Sequence, residues 1–165
     1  LNMEGKHDYG CAMLYFEFPG FSTFHDVLEI GDIYTKDNHG IETQPHVTLL
    51  YGFSQNVNPN EVINVVNKYD FTHVKLHNVS VFENEEYDVL KLDAELEVLQ
   101  NVHSELRKFP HTDVYSSYHP HMTIAYLKPG TGHKYIDKLK WVKLLMCPTQ
   151  IVYSKSNGEL TKQKI

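Results

Sequence analysis

Apolar side chains along this chain fall into short runs and two-residue alternations, broken at intervals by Pro, Gly, Asn and Asp. Residues 9–18 (YGCAMLYFEF) are rich in aromatic and aliphatic side chains and stop at Pro19-Gly20, which predicts a strand. Ser22 is placed to cap a short helix over 23–30, and residues 31–44, with Gly31, Asp37, Asn38 and Gly40, read as a loop. A second strand is predicted over 46–53 (HVTLLYGF). Asn58-Pro59 then opens a helix to about residue 69, with Val62, Ile63, Val66 and Tyr69 on one face. Strands over 73–82 and 87–93 flank a solvated acidic turn at 83–86 (ENEE). Leu96, Leu99, Val102 and Leu106 recur at helical spacing within 94–109, and the helix must end before Pro110. Residues 111–117 read as a loop, 121–127 as a strand, 133–144 as a helix after a Pro-Gly turn, and 150–155 as the last strand before a polar tail. Strands and helices that follow one another without a linker predict one compact α/β or α+β unit over 1–165.

One segment of this pattern occurs twice. Pro45-His46-Val47-Thr48-Leu49-Leu50-Tyr51 matches Pro120-His121-Met122-Thr123-Ile124-Ala125-Tyr126; Pro, His, Thr and Tyr coincide and the positions between are apolar. Each copy is followed by a turn, a helix and a strand (74–82 and 150–154), which predicts two similar halves facing each other. On a strand, residues i and i+2 share a face. His46 therefore lies beside Thr48 and His121 beside Thr123, while Val47, Leu49, Met122 and Ile124 turn to the core. The same count puts Tyr51 and Tyr126, at an odd offset of five from the histidines, on the core side. A polar pair inside an apolar strand is either hydrogen-bonded within the core or lines a cleft. Two such pairs related by pseudo-symmetry bring two imidazoles and two hydroxyls to one pocket. The imidazoles can divide the general-base and general-acid roles near neutral pH, and the hydroxyls can donate to the non-bridging oxygens of a phosphate. This set suits phosphodiester cleavage without a metal.

Charge narrows the ligand further. Fifteen Lys and Arg against 21 Asp and Glu give a net charge of -6, and no basic run is present. Long nucleic acid, whose affinity comes from neutralising many phosphates, is thereby disfavoured as the main ligand; a small anion in a local pocket is not. No apolar run approaches the roughly 20 residues of a membrane helix, and Lys6, His7 and Asp8 interrupt the start before a signal-peptide core develops. Cys11 and Cys147 have no Cys-x-x-Cys spacing and read as free thiols in a reducing cytoplasm, Cys147 as a buried one.

The two motifs, His46-Val47-Thr48 and His121-Met122-Thr123, about 75 residues apart, each led by Pro and trailed by Tyr, resemble the signature of the two-histidine (2H, LigT-like) phosphoesterase superfamily. The resemblance covers nearly the whole chain. It implies an α+β, bilobal, pseudo-symmetric fold in which two antiparallel sheets line a central cleft with helices outside. It also implies a metal-independent phosphodiesterase with His46, Thr48, His121 and Thr123 as its catalytic set and no cofactor. Members of the superfamily act on 2′,3′-cyclic phosphates, 2′-5′ linkages, ADP-ribose cyclic phosphate or cyclic oligonucleotides. A viral branch cleaves the cyclic nucleotide messengers of bacterial anti-phage (CBASS) signalling, and its compact form is similar to this chain. The substrate expected is a small nucleotide, with a cyclic oligonucleotide immune messenger in a phage counter-defence role foremost. An RNA-end 2′,3′-cyclic phosphate or 2′-5′ oligoadenylate is the alternative, and a nucleotide-sequestering module that cuts nothing is the alternative from another class.

Outside the motifs, Tyr15, Trp141 and Tyr153 are candidate nucleobase platforms, since stacking on an aromatic ring contributes roughly 1–3 kcal/mol; core packing is the competing reading of each. Lys128, just past the second motif, is a candidate phosphate contact or else a solvated turn lysine. His119-Pro120-His121 invites a zinc reading, but Thr is a poor zinc ligand and no Cys or carboxylate has zinc-like spacing near it, so no metal is expected.

Overall fold

The computed structural model describes residues 7–165; residues 1–6, including the Lys6 used in reading the chain's opening, lie outside the described residues. The described chain forms β1 (Gly10–Tyr15), β2 (His46–Phe53), α1 (Pro59–Val66), β3 (Val74–Glu83), β4 (Asp88–Glu95), α2 (Glu97–Leu106), β5 (His121–Leu127), α3 (Ile136–Leu139), β6 (Lys143–Met146), β7 (Gln150–Ser154) and β8 (Leu160–Lys164). The strands run antiparallel in the order β6-β3-β4-β5-β2-β1-β7-β8. This is one curled eight-stranded sheet with two four-stranded halves, β6-β3-β4-β5 and β2-β1-β7-β8, joined between β5 and β2 by the one register pair Val47 and Met122. Each motif strand hands the chain to the other half. β2 leads through α1 to β3, and β5 leads through α3 and the edge strand β6 to β7. The expected α+β architecture is thus the one observed, the two expected sheets being halves of one.

The helices cover one face. Val62, Ile63 and Val66 of α1, Leu99, Val102 and Leu106 of α2, and Leu139 of α3 enter one core with Leu14, Val47 and Leu49 of one half and Leu92, Met122 and Ile124 of the other. Asn58 caps α1 by accepting from the Asn60 N–H at 2.9 Å, with Pro59 in the first turn. On β1, Cys11 and Met13 alternate to the opposite face and form a smaller cluster with Val152, against which Tyr15 and Tyr51 pack. That second face is the one to which the motif histidines and threonines turn.

Several elements differ from expectation. The helix over 23–30 is instead a 3-10 turn, Phe21–Phe24. Thr23 Oγ1 donates back to the Gly20 carbonyl, Ser22 provides no cap, and Phe18, Phe21 and Phe24 pack on one another at the three-residue period of that turn. The helix over 94–109 starts later, at Glu97, because Ala94 still belongs to β4 and donates to the Pro120 carbonyl. The helix over 133–144 ends at Leu139: from Lys143 on, Leu144 and Met146 reach the core while Lys143 and Leu145 are exposed, so the segment pairs with β3 as an edge strand. The polar tail forms the other edge, β8, where Lys162 and Lys164 are the charged residues that discourage further strand pairing. Cys147 is exposed; Cys11 is fully buried.

Beyond their shared pair, β2 and β5 diverge, and each takes another partner on its free side. Phe53 bridges to His111 and the Thr112 N–H donates to the Gly52 carbonyl at 2.8 Å, while Ile41 and Ile33 bridge to Ala125 and Leu127. Gly52, with φ 135°, is required there, since a Cβ would stand 2.2 Å from the Thr112 carbonyl oxygen. Gly52→Ala should therefore lower stability by about 1–3 kcal/mol in urea denaturation. Gly31→Ala, which has open space around it, should stay within about 0.5 kcal/mol. Equal stabilities would show that the loop does not press on β2.

Candidate active site

The seam decides which way the motif side chains face. Val47 and Met122 are opposite each other and fully buried in the core. In that antiparallel register His46 falls opposite Thr123 and Thr48 opposite His121, and all four side chains turn to the other face. The two imidazoles are then diagonal neighbours across the seam, a relation that puts Cβ atoms about 7–8 Å apart in a regular pair. His46 and Thr123 are buried; Thr48 and His121 are partly open.

Both histidines are held in the same way. The His46 Nδ1–H donates to the Gln44 carbonyl and the His121 Nδ1–H to the His119 carbonyl, each at 2.8 Å. A carbonyl oxygen only accepts, so Nδ1 carries the proton in both rings and Nε2 of the neutral ring is the basic atom. The intervening prolines are equivalent too: the Pro45 carbonyl accepts from Phe16 N–H and the Pro120 carbonyl from Ala94 N–H, each at 3.0 Å.

The tyrosines that end the motifs correct the regular strand count. In the β1–β2 ladder Ala12 pairs with Leu50 and Met13 with Thr48, so Leu49 is an extra residue; in β4–β5, Leu90 pairs with Ala125 and Lys91 with Thr123, so Ile124 is extra. Each strand bulges at the residue after its threonine, and both residues there (Leu49-Leu50, Ile124-Ala125) enter the core. The parity shifts by one. Tyr51 and Tyr126 therefore join the face of the histidines and line the cavity beside them instead of packing in the core. A histidine holds each bulge carbonyl: His103 Nδ1–H donates to Leu49 at 2.7 Å, and His25 Nε2–H to Ile124 at 3.0 Å.

β4 supplies residues that no motif reading found. Lys91 lies opposite Thr123 and Asp93 opposite His121. Lys91 Nζ donates to Ser80 Oγ at 2.8 Å and to Asp93 Oδ1 at 3.0 Å, and Asn78 Nδ2 donates to Asp93 Oδ2 at 2.6 Å. Burial pushes the Asp93 carboxyl up, but the hydrogen bonds from Lys91 and Asn78 outweigh it and hold the group below the usual carboxylate range. The pattern Lys91-Leu92-Asp93 is the same polar-apolar-polar alternation as His-x-Thr.

Thr48, Tyr51, Lys91, His121 and Tyr126 share a cavity of about 550 Å³ that extends under residues 111–119 and includes His119, whose Nε2 meets Ser117 Oγ at 2.8 Å. The Tyr126 hydroxyl is buried there without a hydrogen bond, with Thr123 near but outside bonding geometry. Tyr15 is opposite His46 in the β1–β2 register, 6.2 Å between ring centres, with Lys162 Nζ over the Tyr15 ring at 5.5 Å from its centre. His46 and Thr123, both buried, do not themselves line this cavity, nor do Tyr15 and the remaining candidates. Tyr153 is buried in the helix-side core against Phe53. Trp141 is exposed beyond α3, against Phe24. Lys128 follows the far end of β5, with its N–H on the Asp32 carbonyl. Among the described residues no group of three or more His, Cys, Asp or Glu is placed to hold a metal ion, and no helix is long and apolar enough to cross a membrane.

Residues 35–144 match the family model of the 2′-5′ RNA ligase superfamily, most of the chain including both motifs. The chain belongs to this superfamily. Its LigT-like two-histidine phosphoesterases are the family that the paired motifs resemble. No curated protein matches the chain. Among solved structures it is similar to Kluyveromyces marxianus Usb1 with uridine monophosphate, at 11% identity and a TM-score of 0.58, over 96% of this chain and 98% of that one. The likeness to Usb1 is one of fold.

Burial pushes the His121 pKa from 6.5 down to about 4; the His119 carbonyl and Asp93 favour the charged ring and Lys91 disfavours it. Between those pH values the unfolded chain binds more protons than the folded one, so stability rises with pH across the window and is lost as pH falls through it. His25 and His103, also lowered by burial, add slope of the same sign. Urea denaturation from pH 7 to 4 should show this loss, and His121→Gln should reduce it. An unchanged slope in the variant would contradict the buried neutral ring.

Proposed function

We propose that the chain is a metal-independent phosphodiesterase that cuts a small cyclic, 2′-5′- or 3′-5′-linked nucleotide, with His46, Thr48, His121 and Thr123 as its catalytic set. The observation that carries this reading is the equivalence of the two imidazoles: each is anchored through Nδ1 to the carbonyl two residues back, and each falls opposite the other motif's threonine across one seam. His121, neutral at pH 7, is the base. Its Nε2 takes the proton of the ribose hydroxyl next to the linkage, and that oxygen attacks phosphorus. His46 acts as the imidazolium: Nδ1–H stays on the Gln44 carbonyl while a second proton on Nε2 passes to the leaving oxygen, the P–O bond to it breaks, and a 2′,3′-cyclic phosphate remains. The threonine hydroxyls donate to the non-bridging oxygens, where charge develops.

The net charge of -6 and a cavity within the usual size for small ligands support a small nucleotide over a long chain. Among small nucleotides we favour a cyclic oligonucleotide immune messenger, in a phage counter-defence role. Free thiols at Cys11 and Cys147 suit a cytoplasmic setting. The second reading, cleavage at an RNA end or of 2′-5′ oligoadenylate, draws support from the superfamily's name and from the uridine monophosphate in Usb1.

Chromatography after incubation with cyclic dinucleotides, cyclic trinucleotides, 2′-5′ oligoadenylate and a 2′,3′-cyclic-phosphate-ended RNA, all with EDTA, should show one class converted. Loss of activity on chelation, restored by zinc or manganese, would contradict the metal-independent reading; tight binding with no product would mean a sequestering module. His46→Ala and His121→Ala should each lower turnover by about 10²–10⁴-fold. A substrate whose leaving oxygen is replaced by sulfur, which needs no protonation, should rescue His46→Ala and not His121→Ala. The opposite pattern would exchange the two roles.

A further inference from the structure

The histidine latch on the β2 bulge has a second member that the motif strand itself does not supply. The Leu49 carbonyl accepts from His103 Nδ1–H at 2.7 Å, and the neighbouring Thr48 carbonyl accepts from the Tyr118 hydroxyl at 2.8 Å. The His103 and Tyr118 rings are stacked, with centres 4.1 Å apart and planes within 7°. Two consecutive carbonyls at the point where β2 changes face are thus gripped by one rigid aromatic pair, with His103 from α2 and Tyr118 from the segment before β5. We infer that His103 and Tyr118 are positioning residues, which hold the Thr48–Leu49 backbone so that the Thr48 hydroxyl and the Tyr51 ring face the substrate; this rests on the phosphodiesterase reading above.

Three observations support it. Both rings line the same cavity as Thr48 and His121, so they lie at the site and not behind it. A carbonyl acceptor demands that His103 carry its proton on Nδ1, and burial keeps the ring neutral at pH 7, so its one N–H is committed to Leu49. The other motif strand has a related latch, with the Ile124 carbonyl taken by His25 Nε2–H and by the Glu42 N–H, each at 3.0 Å. The same demand, a held bulge behind each threonine, is met twice by unrelated local sequences.

The test uses the full chain and the panel member that wild type converts fastest. His103→Ala should lower kcat by about 10–10²-fold, the order expected when a catalytic group is misplaced by around 1 Å, with KM changed far less. His103→Asn, whose side-chain amide N–H falls where Nδ1–H stood, should restore most of the loss. Tyr118→Phe keeps the stack and removes the Thr48 bond, so a smaller fall in kcat is expected even if His103→Ala fails to fold. Adding His103→Ala to Thr48→Val should cost much less than the product of the two single losses, because the histidine acts largely through the threonine. Nitrogen-15 spectra of the wild type should show His103 as the Nδ1–H tautomer, a readout that needs no turnover. An Nε2–H tautomer, multiplying losses in the double variant, or unchanged kcat in both single variants that fold would overturn the inference. Wild type that converts no panel member would defeat the phosphodiesterase reading, while the tautomer would still decide whether the latch exists.

Discussion

The pairing of Val47 with Met122 joins two half-sheets that otherwise diverge, with both side chains buried in the core. A strand can present polar groups on one face only if the other is covered, and here the helix-side core covers it across the seam. The two His-x-Thr pairs are therefore the necessary counterpart of that burial: what Val47 and Met122 put inside, their neighbours put outside. Because the strands meet at the middle of each motif, opposition of His46 to Thr123 and of Thr48 to His121 follows without further contacts.

The bulges extend the same logic. A regular strand would return Tyr51 and Tyr126 to the core. An extra residue at Leu49 and at Ile124 spends two apolar side chains on the core and brings the tyrosine to the histidine's face. The cost is a carbonyl displaced from the ladder at each bulge, and a buried carbonyl without a partner is unfavourable by about 1–3 kcal/mol. Imidazoles from His103 and His25 meet it. Their depressed pKa values and that of His121 share one leading cause, burial, so the protein keeps three rings neutral near the seam and loses stability when acid charges them.

Most of this arrangement was legible in the repeat. Pro-His-x-Thr with apolar fillers is a local pattern, and the period of a strand is enough to put His and Thr together. The shift at Tyr51 was not legible from a strict count of two, although the doubled apolar pairs Leu49-Leu50 and Ile124-Ala125 mark it in both copies. Lys91-Leu92-Asp93 has the same alternation as the motifs but occurs once, so no repeat marks it. For Lys128, Trp141 and Tyr153 the sequence offers only nearness to a motif or a side-chain type, and neither fixes the face a residue takes in the fold. Lys128 comes at the far end of β5, and Tyr153 follows Val152, which takes the cleft face of β7. Strands β6 (KLLM) and β8 (LTKQK) are edges too short to show a strand period, and they pair on the open ladders of β3 and β7.

The central claim is that the two imidazoles act on one phosphate between them. A crystal structure of the protein with a nucleoside vanadate, which imitates the five-coordinate phosphorus of in-line displacement, tests it most directly. The account predicts vanadium between His46 Nε2 and His121 Nε2, with one apical oxygen on each and equatorial oxygens on Thr48 and Thr123. Vanadate bound elsewhere in the cavity, or contacting one histidine while the other stays apart from it, would contradict the account.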